Sequence, residues 1–440
     1  MNRIGPFGNG DCSRSYTGTL ALRGEIRTVE VDCWVDPKNP PRGVPTLKHG
    51  GSANLAYRDG KLIALGNGHL KVLDGETLAE QRQIRTVVTG GFQGWDRTNG
   101  TKARTQAGHS VPAGLSTLYW LENGLVSIRP GGDIGSNPNG HEFVRVSGEA
   151  AIPQLRRESN QREWLAVCDG NPLILCSMGG HTFGRTIIDG VRDGAGMTIR
   201  VPNVVNAPSH ISTQDCHYLL FPAKLSPQAR NKSMLEHAPG LSVYRVDASG
   251  NVSQKFVNAT MGVWTGWDGT YAPQPWALSD GWIYAVTGTK EVSAINVNTW
   301  GFTKFATPPS GYRPRIAVNR AGTPVVCGLG QIFRVGAWSF PVPLDGEAMN
   351  TNKQFCNHIV IDDENVYLGR LLSGQLVIDA RKLNGGSTVG RHVVPIPGSD
   401  VSGQCHDMFA ADGALYALVT PREPPISGER RFSQMIVRVA

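Results

Sequence analysis

Two short segments of the chain combine aromatic rings with a carboxylate. "GFQGWDRTNG" at 91–100 and "VWTGWDGTYA" at 263–272 each follow a glycine, and together with it they share the pattern Gly-x-[Phe/Trp]-x-Gly-Trp-Asp-x-Thr, from Gly90 to Thr98 and from Gly262 to Thr270. An aromatic face stacks on the apolar face of a sugar ring, and a carboxylate accepts hydrogen bonds from its hydroxyls. These segments therefore predict a ligand-binding platform, whose candidate residues are Phe92, Trp95, Asp96, Trp264, Trp267 and Asp268.

The same two segments also have a structural interpretation. In it, Trp95 and Trp267 fill the wedge between neighbouring sheets, and the aspartate after each of them caps a turn through its side chain. We favour this interpretation for the two tryptophans. Phe92 and Trp264, three residues earlier in each segment, are then expected to be the exposed rings.

A second group of residues has the chemistry of metal ligands. Cysteines and histidines stand near the starts of predicted strands, and thiolate and imidazole groups bind zinc and other transition metals. The candidate ligands are Cys216, His217, Cys356, His358, Cys405 and His406. Their spacing is not that of a compact zinc motif, and unbridged cysteine is common in protein cores. We therefore expect core packing and no required cofactor, with a structural or channel metal ion as the alternative.

The elements that must position these residues are repeated hairpins. Apolar runs on either side of an Asp-Gly-like turn predict tight hairpins at 54–65, 116–128, 163–176, 276–286, 315–327, 358–369 and 407–418. A second hairpin pattern follows at 70–84, 243–256, 294–305 and 377–394. Segment 216–223 is predicted to be a further first strand, followed by a long insertion. Paired hairpins that recur about every 40–65 residues resemble the four-stranded blades of the β-propeller superfamily.

This resemblance implies an all-β fold, a β-propeller of seven or eight four-stranded blades. The last unit supplies only three strands, so segment 19–35 is predicted to complete that blade and to close the ring, which removes exposed sheet edges. The predicted organisation is an N-terminal arm at 1–18 and a single propeller domain at 19–440. Within that domain, 19–35 is the closing strand, 36–50 a Pro-rich linker and 51–440 the blades.

Composition argues against several classes of protein. The net charge is +7 over 440 residues, and the basic residues form no long cluster, so nucleic-acid binding is not expected. No apolar run approaches the roughly 18–20 residues that span a bilayer. The N-terminal segment lacks the apolar core of a secretory signal, so we expect synthesis in the cytoplasm. Motifs of serine hydrolases and zinc proteases are absent, so an enzyme is not favoured.

These observations favour a non-enzymatic binding or assembly platform. We expect a structural component of a virus or phage particle, such as a tail, neck or receptor-binding part, that is incorporated into the virion. The expected partners are other protein subunits, bound through the N-terminal arm and loops 94–110, 129–142 and 225–240, with glycans as further ligands. One alternative is a lectin-like carbohydrate-binding propeller. The other is a metal-dependent, lyase-like propeller enzyme that uses channel cysteine and histidine residues.

Overall fold

The chain folds into β-strands joined by turns and loops. The structure, a computed structural model, describes residues 13–34, 55–65, 69–85, 117–120, 125–129, 142–146, 151–152, 162–166, 173–178, 181–188, 192–193, 201–202, 209–212, 216–224, 238–247, 252–257, 276–279, 281–288, 291–306, 315–328, 331–341, 358–399, 403–421 and 431–440. No helix occurs within these ranges. Accordingly, no described segment is a helix of the length and apolarity needed to cross a membrane.

Two N-terminal strands, β1 (Ser13–Ser15) and β2 (Ile26–Trp34), precede a series of antiparallel sheets. Sheet one contains β3 (Leu55–Arg58), β4 (Lys61–Leu65), β5 (His69–Asp74) and β6 (Glu80–Arg85). Sheet two contains β7 (Thr117–Trp120), β8 (Leu125–Arg129), β9 (Glu142–Arg145) and β10 (Ala151–Ile152). Sheet three contains β11 (Arg162–Ala166), β12 (Leu173–Met178), β13 (His181–Ile188), β14 (Arg192–Asp193) and β15 (Val201–Pro202). Sheet four contains β16 (Ser209–Ser212), β17 (Cys216–Lys224), β18 (Ala238–Asp247) and β19 (Val252–Val257).

The second half of the chain repeats the arrangement. Sheet five contains β20 (Trp276–Ser279), β21 (Trp282–Gly288), β22 (Glu291–Asn296) and β23 (Phe302–Ala306). Sheet six contains β24 (Arg315–Val318), β25 (Pro324–Gly328), β26 (Gln331–Arg334) and β27 (Trp338–Pro341). Sheet seven contains β28 (His358–Ile361), β29 (Asn365–Leu372), β30 (Gln375–Lys382) and β31 (Thr388–Pro395). Sheet eight contains β32 (Gln404–Ala411), β33 (Ala414–Thr420) and β34 (Arg431–Val439). The described residues thus form eight sheets, and within nearly all of them successive strands are hydrogen-bonded neighbours.

The predicted hairpins are confirmed, and their turns explain the sequence pattern. The first hairpin of sheet one turns at Asp59 and Gly60, with φ of 48° and 72°. The first hairpin of sheet eight turns at Asp412 and Gly413, with φ of 42° and 77°. Two successive residues with positive φ match the twist of the flanking strands, and Asp followed by Gly tolerates that backbone.

Apolar side chains fill the spaces between neighbouring sheets. Successive residues of a strand point to opposite faces, so a strand that is covered on both sides is apolar at every position. In β24, Ile316 packs between sheets five and six, and the next residue, Ala317, packs between sheets six and seven. Further clusters of the same kind lie between sheets seven and eight and between sheets eight and one. The first strands β20, β24, β28 and β32 are neighbours in succession. Face-to-face packing of meanders with adjacent first strands is the arrangement of propeller blades.

The N-terminal segment contacts the last two sheets. β2 pairs antiparallel with β34 along all nine residues, from Ile26 with Val439 to Trp34 with Arg431. This is the pairing that the sequence predicts for segment 19–35. β1 pairs with β28 in parallel, so Ser13–Ser15 lie on the side of sheet seven where the first strands meet. The sequence does not predict β1.

One strand assignment from the sequence is wrong. Segment 216–223 is predicted to be a first strand, but β17 is the second strand of its sheet and lies between β16 and β18. The first strand is β16, with the sequence Ser-His-Ile-Ser. It is short and mostly polar, so it lacks the apolar run by which the other first strands are recognised.

Candidate functional site

Asp362 forms hydrogen bonds that attach the N-terminal segment to sheet seven. This aspartate follows β28 and is fully buried. Its Oδ2 accepts a hydrogen bond of 2.9 Å from the backbone N–H of Leu20, and the Tyr367 hydroxyl lies 2.9 Å from the same oxygen. Its Oδ1 accepts the backbone N–H groups of Glu364 and Asn365, which fixes the turn into β29. Through these hydrogen bonds, one buried carboxylate fixes both the turn before β29 and the N-terminal segment at Leu20.

Further contacts extend the same attachment. Tyr16 and Leu20 are buried in the apolar cluster between sheets seven and eight. The backbone N–H of Gly413, in the first turn of sheet eight, donates to the Tyr16 hydroxyl at 3.1 Å. The backbone N–H of Gly18 donates to Asp363 Oδ2 at 2.9 Å. Residues 13–20 therefore bridge two sheets before β2 begins.

Two tyrosines form hydrogen bonds across the contact between sheet eight and sheet one. The Tyr416 hydroxyl donates to the Gly75 carbonyl oxygen at 2.7 Å, and the Tyr57 hydroxyl donates to Asp412 Oδ2 at 2.6 Å. A Cβ on Gly75 would lie 2.6 Å from the Tyr57 ring, so only glycine permits this approach. Burial and the bond to Asp412 raise the pKa of Tyr57, so the hydroxyl stays protonated and remains a donor. These bonds join the first and last sheets of the chain.

A charged group lies on the face of sheet seven that is turned towards sheet six. Arg370 on β29 donates from Nη2 to Asp379 Oδ2 at 2.7 Å, and Arg391 on β31 donates from Nε to Asp379 Oδ1 at 2.6 Å. Leu368 is directly opposite Asp379, and Asp379 is directly opposite Arg391, so these side chains share one face. Arg370, Asp379 and Arg391 are called the arginine cluster below.

The arginine cluster is incompletely neutralised. Two guanidinium groups share one carboxylate, and the Arg370 side chain is only 4% exposed. The Nε of Arg370 is buried and has no hydrogen-bond partner among the described residues. Burial lowers the pKa of Arg370, Asp379 opposes this effect, and the neighbouring Arg391 lowers the pKa further. A buried cation with an unused donor is an unusual arrangement, since buried charges are normally paired and hydrogen-bonded.

Aromatic side chains of sheet six lie beside this face. The Arg381 guanidinium stacks over the Phe340 ring at 4.3 Å from its centroid, and its Nη1 donates to the Gly386 carbonyl oxygen. Trp338 donates its indole N–H to the Leu383 carbonyl oxygen at 2.9 Å. These contacts hold β27 against the hairpin that joins β30 and β31, so the cluster lies on a fixed surface rather than on a loop.

The aromatic and acidic residues predicted to form a ligand platform lie outside the described residues. These are Phe92, Trp95, Asp96, Trp264, Trp267 and Asp268. Both interpretations of them, the platform and the wedge between sheets, stay predictions. The contacts expected of the loops at 94–110, 129–142 and 225–240 likewise stay predictions. Residues 94–110, 130–141 and 225–237 lie outside the described residues, whereas Arg129 ends β8, Glu142 begins β9 and residues 238–240 begin β18.

The predicted metal ligands are distributed over two regions of the chain. Cys216 and His217 begin β17, a second strand, so their expected position on a first strand is wrong. His358 begins β28, while Cys405 and His406 lie near the start of the neighbouring strand β32. Cys356 lies outside the described residues. Within the described part, no three His, Cys, Asp or Glu residues are grouped as a metal site.

Cys405 has a defined environment. It is fully buried in the apolar cluster between sheets seven and eight, and it forms no disulfide. A small thiol in such a position packs as a hydrophobic side chain. The metal site itself stays a prediction.

Sequence reasoning missed the arginine cluster. The three residues are nine and twelve positions apart along the chain, and separately each resembles an ordinary charged residue of a solvated strand. One feature of the sequence could have indicated the cluster: a charged residue interrupts an otherwise apolar strand. Arg370 and Asp379 each lie in a strand whose other central positions are buried. Two opposite charges at such positions indicate a pair inside a sheet interface.

The chain is similar to known proteins in structure but matches no sequence family. No family model matches the chain, and no curated protein matches it. A structure of BamB from Moraxella catarrhalis is 11% identical with a TM-score of 0.44, and the match covers 94% of this chain and 97% of BamB. Apo AztD from Citrobacter koseri is 10% identical with a TM-score of 0.43, over 79% of this chain and 87% of AztD.

A third similar structure is Hsv2 from Kluyveromyces lactis. It is 10% identical with a TM-score of 0.42, and the match covers 77% of this chain and 96% of Hsv2. All three structures are β-propeller-type folds. In its described part this chain is all-β, and its own antiparallel meanders with adjacent first strands have the arrangement of propeller blades.

Proposed function

We propose that this protein is a non-enzymatic binding and assembly platform built on a closed ring of eight blades. The observation that carries the proposal is the double attachment of residues 13–34, which pair with β28 through β1 and with β34 through β2. A ring of sheets is weakest where its first and last sheets meet, because no peptide bond joins them there. Strand exchange at that point is a general device for closing such a ring and removing its edges.

The contacts at this junction favour rigidity. Hydroxyl groups of sheet eight and sheet one bond across it, from Tyr416 to Gly75 and from Tyr57 to Asp412. The Tyr416 ring also stacks on Phe409 at 5.2 Å between centroids, with an interplanar angle of 14°. A ring that is closed by packed side chains presents its connecting loops at fixed positions on two faces. Such a scaffold suits partner binding, because binding residues are held in place before the partner arrives.

The proposed biological setting is a virus or phage particle, in which the chain is a tail, neck or receptor-binding part. The support is compositional: 18% charged residues, 54 glycines and polar segments long enough to contact neighbouring subunits. The proposed partners are other protein subunits. Residues 1–12, which precede β1, and the loops 94–110, 129–142 and 225–240 are the proposed contact segments.

An incorporation experiment tests this setting. Particles from the source culture are purified on a density gradient and probed with an antibody against the chain. We expect the chain to co-sediment with particles at a constant ratio to the major particle protein. A chain that lacks residues 1–12 is expected to keep the unfolding temperature of the full chain and to be incorporated less efficiently. Recovery of the folded full chain only outside particles would contradict the proposed setting.

A further inference from the structure

We propose that the arginine cluster is a binding site for one oxyanion, either a carboxylate or a phosphate group. This inference goes beyond the platform function and does not depend on it, since the cluster lies in the interface of sheets six and seven whatever the partner of the protein is. Three observations support it: an unused buried donor, an excess of positive charge and the exposure of Arg391 to solvent.

The unused donor is the Nε of Arg370. This guanidinium is nearly excluded from water, and it donates through Nη2 to Asp379. In the part of the chain that the structure describes, its Nε has no hydrogen-bond partner. An oxyanion is the natural acceptor for adjacent N–H groups of arginine, because the planar guanidinium matches the spacing of two oxygens. A bound oxyanion would therefore remove the cost of burying an unpaired donor.

The charge of the cluster also fits a single anion. Asp379 neutralises one of the two arginines, and each of its oxygens already accepts a charged hydrogen bond. One positive charge remains in a partly buried position, and Arg381 lies near the same face with its charge over the Phe340 ring. A monoanion balances the cluster, and a dianion is tolerated because Arg381 is close. A cation would add to the excess positive charge, and a neutral ligand would leave it unchanged.

The approach is through Arg391. This side chain is 60% exposed, whereas the Asp379 side chain is 11% exposed and that of Arg370 is 4% exposed. Val393 follows two residues later on the same strand and is 39% exposed. β31 is the last strand of its sheet in the described part, so no described strand pairs with its outer edge. A ligand thus meets Arg391 first, and Asp379 on β30 lies between this arginine and Arg370 on β29.

The test measures unfolding temperature and binding heat with inorganic phosphate, glutarate and chloride at equal ionic strength. We expect phosphate, glutarate or both to raise the unfolding temperature above that in chloride. Phosphate also stabilises proteins in general by exclusion from their surface, so a rise with phosphate alone assigns a phosphate-bearing ligand only where it is smaller in Arg391→Gln. A rise with glutarate alone assigns a carboxylate. Arg391→Gln, a change at an exposed position, is expected to weaken binding about tenfold or more, the usual effect of removing a charged hydrogen bond.

Arg320→Gln is the matched control, because Arg320 is an exposed arginine in the turn between β24 and β25. It is expected to bind the anion as tightly as the unchanged protein. Arg370→Met removes the buried charge and is expected to abolish the anion effect; if this variant does not fold, Arg391→Gln alone decides. Two results would overturn the proposal: no oxyanion stabilises the protein more than chloride does, or Arg391→Gln and Arg320→Gln bind the anion equally well.

Discussion

A chain without residues 1–34 is expected to aggregate or to unfold far below the temperature of the full chain. The deletion removes β2, so β34 loses its partner along nine residues and becomes an exposed edge. It also removes the buried side chains of Tyr16, Leu20 and Val31 from the clusters on both faces of sheet eight. Loss of one large buried apolar side chain costs about 2–5 kcal/mol, and the net stability of a domain is about 5–15 kcal/mol. The combined loss is therefore comparable with the whole stability.

Soluble yield, size-exclusion chromatography and thermal unfolding measure this effect. The matched control lacks only residues 1–12 and keeps every described contact from Ser13 onwards. It is expected to be soluble with an unchanged melting curve. If the chain without residues 1–34 were a soluble monomer that melts like the full chain, the N-terminal segment would not be a structural part of the ring.

Asp362→Ala is expected to destabilise the protein by about 3–5 kcal/mol, because several hydrogen bonds to one buried carboxylate are lost together. The substitution leaves the backbone N–H groups of Leu20 and Asn365 without their acceptor in a buried position, and that of Glu364 in a partly buried one. Each unsatisfied buried donor costs about 1–3 kcal/mol, and partial access of water reduces the sum. Urea unfolding followed by tryptophan fluorescence measures the change in free energy.

The neighbouring aspartate provides a close control. Asp363 is exposed and accepts the backbone N–H of Gly18. Asp363→Ala is expected to cost only about 0.5–1.5 kcal/mol, because water replaces the lost acceptor. Equal effects of the two substitutions would mean that Asp362 does not hold the N-terminal segment, whereas a large difference supports that role.

Much of the sheet architecture could be predicted because it is encoded locally. The Asp-Gly pairs at 59–60 and 412–413 fix hairpins through backbone preferences of single residues. The alternation around them fixes which face of each strand is buried. β1 could not be predicted in this way: it has three residues, Ser-Arg-Ser, and its position depends on β28, more than three hundred residues later. β16 was missed for the related reason that a short polar strand carries no periodic signal.

The site was less predictable than the fold, because it depends on register. Asp379 meets Arg370 and Arg391 only because Leu368 pairs with Asp379 in β29 and β30, and a shift of one residue would turn the aspartate to the other face. A register irregularity between Ala380 and Arg381 is likewise invisible in the sequence. Asp362 resembles an ordinary turn aspartate in "IDDEN" until Leu20 is placed against it. The candidate site residues were selected from the sequence by side-chain type. Side-chain type alone does not show which residues lie close together in the folded chain.

Disulfide trapping between β2 and β34 tests the central claim, the closure by the N-terminal strand, most directly. Thr28 and Val437 are opposite residues of this antiparallel pair. Opposite residues lie about 4.5–5.5 Å apart at Cα, within the range of a disulfide. The double variant Thr28→Cys with Val437→Cys is expected to oxidise to a cross-linked monomer of altered mobility on a non-reducing gel.

Thr28→Cys with Ile436→Cys is the control, since Ile436 points to the opposite face of the sheet. This variant is expected to remain without a cross-link. The native cysteines are the same in both variants. Efficient cross-linking of the first pair alone is the result that closure predicts, and absent or equal cross-linking of the two pairs would contradict it.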